Sequence, residues 1–248
     1  MAKRRPIRYV TGLGSRKLST LRARWRSWMD GIVDDLGNLL VKKQVFEELM
    51  TIVSANAATR DPGTFLDWLV DNYVTATAIG IRRVTDAHRH SCSLGRILVE
   101  MVEHPHIMSR RAHQSLYRKS VGDADRTFDR IAGKNRRFVS QRVLRRDLRA
   151  LRQAEERVRR YVNKRIAHTA RPGAIRRLPT FGELHNALSV LDRIARRYNL
   201  LLTAYSVGTS RPILFDDWRK VLRTAWWPDD RKAEAIQPSA LRRTAKKS

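Results

Sequence analysis

The residues with the most chemistry in this chain lie in one run, Tyr161-Val162-Asn163-Lys164-Arg165-Ile166-Ala167-His168. At 3.6 residues per turn, Lys164, Arg165 and His168 follow Tyr161 by three, four and seven positions, so the four share one flank of a helix. A neutral imidazole beside two cations resists protonation, which suits a base working near neutrality. His168 is equally placed to cap a helix C-terminus, where the macrodipole favours a positive ring. Both roles fit the spacing. Asn163 stands about 140° around an ideal helix from His168, so the two meet over one substrate only if the helix unwinds or a second subunit completes the site.

Upstream of this run the charge is one-sided. Between Lys134 and Arg177 there are sixteen Lys and Arg against three acids, Asp147, Glu155 and Glu156. A helix with an apolar stripe must crowd those cations onto its other face, forming a ridge that tracks phosphates. Its members are Arg142, Arg145, Arg149, Arg152, Arg159, Arg160 and Lys164. The whole chain is biased the same way, with 51 Lys and Arg against 24 Asp and Glu for a net charge of +27. Such a surface attracts polyanions, and Arg grips phosphate oxygens bidentately. A solvated surface from an Arg-rich proteome gives the same count.

Other chemistries are poorly served. His88, His90, Cys92, His104 and His106 place five metal-type ligands within nineteen residues, but the spacing fits no standard zinc finger and reads as surface histidines, so no metal site is expected. No Gly-rich phosphate loop, Gly-x-Ser-x-Gly or His-Glu-x-x-His is present, which removes the usual marks of ATPases, serine hydrolases and zincins. No cofactor is expected. Cys92 is the one cysteine, which fits a reducing compartment. No apolar run approaches the roughly 20 residues of a membrane span, and the N-terminus lacks a secretory signal, so cytoplasm is the default.

The elements that position these residues read as helices. Leu21, Trp25, Trp28, Ile32, Leu36, Leu39 and Leu40 recur at three to four, with Gly31 and Gly37 as loosening points. Asp61-Pro62-Gly63 is a break, and Thr64 with Asp67 resembles a capping box for a helix through Trp68, Tyr73, Ile79 and Ile81. Ser91 or Ser93 caps a short helix stopped by Pro105, and Arg83 with Asp86 reads as an ion pair fixing a helix end. Short helices near 109–119 and 123–132 precede the long amphipathic segment from Ser140 to His168, whose stripe is Leu144, Leu148, Leu151, Val158 and Val162. Thr180 and Glu183 form the clearest capping box, opening a helix with the stripe Leu184, Leu188, Leu191, Ala195, Tyr198, Leu202 and Tyr205. Trp and Tyr at stripe positions are expected in the core; Trp226 and Trp227 are the aromatics placed to stack bases. A short extended piece is expected around Ile213–Phe215. The result is an all-α antiparallel bundle with additional short helices, flanked by a basic N-terminal arm over 1–20 and a basic flexible tail over 229–248.

The run Asn163-Lys164-Arg165-Ile166-Ala167-His168 resembles the Asn-Lys-x-x-Ala-His signature of HEPN proteins, in particular the AbiU-like branch. Ile81-Arg82-Arg83-Val84-Thr85-Asp86, followed by Ser91 and Ser93-Leu94, is similar to that branch's Arg-x-x-Asp…Ser-Leu segment. Pro179-Thr180-Phe181-Gly182-Glu183-Leu184, Asp217-Trp218 and Trp226-Trp227-Pro228 resemble its C-terminal part. The resemblance covers most of 20–228 and implies one HEPN/AbiU-like domain over 21–228 that dimerises. In active members such a bundle cleaves RNA without metal, in phage-defence or toxin-type systems. It makes His168 the acid/base and Asn163 the polar residue of the motif; Val162 stands where the family carries an arginine, with Arg165, Arg160 or Arg159 as the substitute, none at the usual spacing. It also implies RNA as ligand, a homodimer, and an antitoxin or nucleotidyltransferase as partner. The alternative is a non-catalytic bundle that binds RNA or an acidic partner.

Overall fold

The computed structural model describes residues 15–56, 63–117, 121–163, 179–207, 214 and 216–223. Eight α-helices are described: α1 Ser15–Ala55, α2 Gly63–Thr85, α3 Leu94–Glu103, α4 Arg110–Gln114, α5 Val121–Ala132, α6 Gln141–Tyr161, α7 Phe181–Thr203 and α8 Lys220–Arg223. Among the described residues there is no strand, and the one β-bridge joins Ser109 to Phe138. Residues 1–212 form one compact unit; 213–248 form a second, in which Asp217 pairs with Arg219 and Arg223.

α1 is the spine, 41 residues long. Gly31 and Gly37 do not break it, because neither would bring a β-carbon within 4 Å of any neighbour and both sit where the helix needs no side chain. The buried face instead carries Trp25, Met29, Ile32, Leu36, Leu39 and Phe46, which outweighs the roughly 1 kcal/mol that each helical glycine costs. α2 and α7 run antiparallel to α1. Asp35, Leu39 and Phe46 of α1 meet Arg83, Gly80 and Tyr73 of α2 in reverse order. Arg26 and Glu47 likewise meet Leu202 and His185 of α7.

The caps follow the sequence. Ser93 accepts from Arg96 N–H at the start of α3, and Ser140 from Val143 N–H at the start of α6. Thr180 and Glu183 form the reciprocal capping box of α7, at 3.2 and 3.0 Å. Ser91 is freed from capping and donates to Asp86. Thr64 lies inside the first turn of α2, which begins at Gly63. The expected Arg83–Asp86 pair is not formed: Arg82, one full turn before Asp86, takes it at 3.2 Å, and Arg83 reaches across to Asp35 on α1.

Two buried carboxylates tie helices together. Glu100 on α3 receives Trp25 Nε1–H at 2.6 Å and Arg24 at 2.7 and 2.8 Å from α1, with Arg96 at 3.0 Å from its own helix. Burial works to raise its pKa, but these donors hold it below its ordinary value. Asp147 on α6 accepts from Arg197 and the Tyr198 hydroxyl on α7. Burial, then the adjacent Asp147 charge, pushes the Tyr198 phenol well above its ordinary value, so it stays a donor. The aromatic expectation fails at two stripe positions. Trp68 is 58% exposed, near the free end of α2, and Tyr205 is 77% exposed, beyond the left-handed residue Ala204 that ends α7. Of the 213–215 piece only Leu214 is described, and it is in neither helix nor strand.

Candidate nucleic-acid interface

α6 sorts its charges by sign. Asp147 and Glu155 turn inward, 4% and 9% exposed, and Glu156 pairs with Arg160. Arg142, Arg145, Arg149, Arg152, Arg159 and Arg160 are all exposed. At about 100° per residue they fall within an arc of about 100°, centred about 110° around the helix from the stripe of Leu144, Leu148, Leu151 and Val158, with exposed Glu156 in the same arc. Arg142, Arg145 and Arg152 make no ion pair with any described carboxylate. The ridge is therefore more cationic than its composition, because two of its three acids serve the interior.

At its C-terminal end α6 widens into a π turn at Val162 and Asn163. Asn163 is exposed and falls at the angular position of the arginines. Val162 is 8% exposed and belongs to the core, so the position of the family arginine points away from solvent. Lys164, Arg165 and His168 lie outside the described residues, as do Trp226 and Trp227.

Beside the ridge, the last turn of α2 and the middle of α6 enclose an open groove of about 550 Å³, lined by Arg82, Thr85, Asp86, Leu151, Glu155 and Arg159 among others. Glu155 accepts from the Thr85 hydroxyl on one carboxylate oxygen. Its other oxygen, Oε1, forms an ion pair with Arg159, whose Nε lies 3.7 Å away, too far for a hydrogen bond. Asp86 is already engaged by Ser91, by His88 N–H and by Arg82. Burial opposes its charge, but those three partners hold its pKa below the ordinary value.

Two other histidines carry order rather than exposure. His113, 1% exposed, donates from Nδ1 to the Leu201 carbonyl at 3.0 Å, and its Nε2 is buried without a partner. Burial lowers its pKa, so the ring is neutral near pH 7. His185 lies between Glu47, 3.1 Å from Nδ1, and the Tyr73 hydroxyl, 2.8 Å from Nε2. A carboxylate can only accept, so Nδ1 carries the proton and Tyr73 donates to Nε2. Burial pushes Tyr73 up to about 12, which suits a donor and not a nucleophile. Among the described residues no group of three or more His, Cys, Asp or Glu is placed to hold a metal ion. No helix among them is long and apolar enough to cross a membrane.

The groove was missed by the sequence reading although a signal for it exists. Glu155 stands in the stripe Leu148, Leu151, Glu155, Val158, Val162, at alternating steps of three and four. A carboxylate on the apolar face of such a helix is bound to have an interior task.

No curated protein and no solved structure matches the chain. Residues 18–221 match the HEPN family described as AbiU2, a span holding all of α1 to α7 except the first turn of α1. With that match over most of its length and the antiparallel bundle that goes with it, the chain belongs to the AbiU2 family of HEPN proteins.

Proposed function

We propose that this protein acts on RNA, holding the phosphate backbone along the exposed face of α6 in a phage-defence or toxin-type system. The observation that carries the reading is the sorting of charge on α6: six exposed arginines on one arc, with Asp147 and Glu155 turned into the core. A merely solvated helix mixes signs on its outer face. Each phosphate neutralised there releases counterions, which makes the association salt-sensitive. Lys164 extends the same sequence of cations. An antitoxin or nucleotidyltransferase is the partner that would restrain such a surface, and a homodimer would bring two α6 ends together.

Titrating a labelled single-stranded RNA with wild type and with the Arg142→Glu/Arg145→Glu/Arg149→Glu variant tests the reading. All three side chains are exposed, so the fold survives reversal. The variant should bind at least tenfold more weakly, with the salt slope reduced by roughly 0.7 for each phosphate that is no longer neutralised. Unchanged binding, or none at low salt with wild type, sinks it.

A second reading, cleavage, is favoured by Asn163 standing exposed at the end of the same ridge. In that reading His168 is the acid/base, and Arg165 stabilises charge on the phosphate in place of the arginine that Val162 displaces.

A further inference from the structure

The groove between α2 and α6 combines an inner acceptor with outer cations. Its volume, about 550 Å³, lies in the range that holds one small ligand. Glu155 is 9% exposed, yet one of its oxygens has no hydrogen bond. Oε1 has Arg159 as an ion-pair partner but no donor at hydrogen-bond distance, so it remains an acceptor for something that enters the groove. Asp86 cannot play this part, being held by three partners already. Arg152 and Arg159, exposed members of the α6 ridge, also line the groove. A cationic side chain from a protein partner would suit Oε1 alone, but it would have to enter past those two guanidiniums. A nucleotide meets the whole arrangement, because its phosphates suit the rim while its base edge suits the interior.

We propose that this groove is a base-reading subsite of the RNA surface, in which Glu155 Oε1 accepts a hydrogen bond from the exocyclic amino group of cytosine or adenine while Arg152 and Arg159 hold the flanking phosphates. The proposal rests on the RNA reading of α6. Pairing of an acidic side chain with a base amino group is an established mode of direct readout. Uracil is rejected because its edge offers carbonyl oxygens on either side of its single N–H, and these repel the carboxylate. Single-stranded RNA suits such a groove because its bases can be splayed out of the stack.

The test compares binding of a short oligouridine with the same oligomer carrying one central cytidine or adenosine, for wild type and Glu155→Gln. Wild type should bind the substituted oligomers about tenfold more tightly, the discrimination expected of one well-placed base contact. Glu155→Gln should erase the difference, since an amide can pair with the edge of uracil as well as with that of cytosine or adenine. If wild type binds every oligomer equally and with salt sensitivity, the subsite is overturned while the ridge reading stands. If wild type binds none of them at low salt, the RNA reading falls and the subsite with it. A preference that persists in a folded Glu155→Gln overturns the role of Glu155. The wild-type comparison needs no variant, so the proposal stays open to refutation even if Glu155→Gln does not fold.

Discussion

A β-carbon placed on Gly95 would stand 2.0 Å from the carbonyl oxygen of Thr85, so the start of α3 and the end of α2 touch backbone to backbone. Only glycine permits that approach, and no rotamer change can relieve the clash. Gly95→Ala should cost about 1–3 kcal/mol or more, read from the urea midpoint. A midpoint within a few tenths of wild type would show that the elbow yields freely. The same elbow is held by the Ser91 and Arg82 contacts to Asp86 and by the Ser93 cap. Those contacts give a physical reason for the Arg82…Asp86…Ser91…Ser93-Leu94 spacing.

Glu100 makes acid stability predictable in sign. Its folded pKa lies below the ordinary 4.5, so its contribution is full above that value and is lost as pH falls through the lowered one. Glu100→Gln should lower stability at neutral pH by about 2–3 kcal/mol, since it strips the charge from bonds with Trp25, Arg24 and Arg96. It should also flatten the fall of the thermal midpoint under acid. Parallel acid limbs for the two proteins would refute this account.

Gly31 and Gly37 lie within a continuous helix with open space where their β-carbons would be. Gly31→Ala and Gly37→Ala should each stabilise by about 0.5–1 kcal/mol, additively, through lower entropy of the unfolded chain and better helix propensity. Chemical denaturation of the single and double variants measures it, and a loss of stability would mean that one of these positions touches another molecule.

The cleavage reading turns on His168. Incubation of purified protein with mixed RNA and a chelator should give cleavage that His168→Ala reduces by about 10²–10⁴-fold, the usual contribution of an acid/base group. Equal cleavage by both proteins would remove His168 from the chemistry. Restoring the family arginine by Val162→Arg is expected to lower stability by about 1–3 kcal/mol instead of raising activity, because Val162 packs in the core.

Much of the fold was legible because it is written locally. The α7 capping box, the Ser140 and Ser93 caps and the stripes of α6 and α7 all lie within a few residues of what they control. The loosening expected at Gly31 and Gly37 does not interrupt α1, because burial of Trp25, Met29, Ile32 and Leu36 on its inner face outweighs local propensity. Trp68 misled for a related reason, since periodicity continues along a helix after its neighbours end. The ridge could be read from composition and spacing. The groove could not, because Thr85 and Glu155 are 70 residues apart in sequence and meet only when α2 packs on α6.

The far end of the α1–α2 pair has a dynamic consequence. Phe46 and Tyr73, stacked at 3.8 Å, are the last buried residues on that side. Beyond them α1 continues to Ala55, and α2 reaches back to Gly63, with no buried residue described and with Phe65 and Trp68 largely in water. Backbone amides there are held by helical hydrogen bonds without an interior to back them. They should exchange with solvent deuterium through local fraying, at rates insensitive to mutations in the core. Amides around Trp25, Ile81 and Leu191 should exchange only when the whole bundle opens, so one helix would report two separate opening free energies along its length.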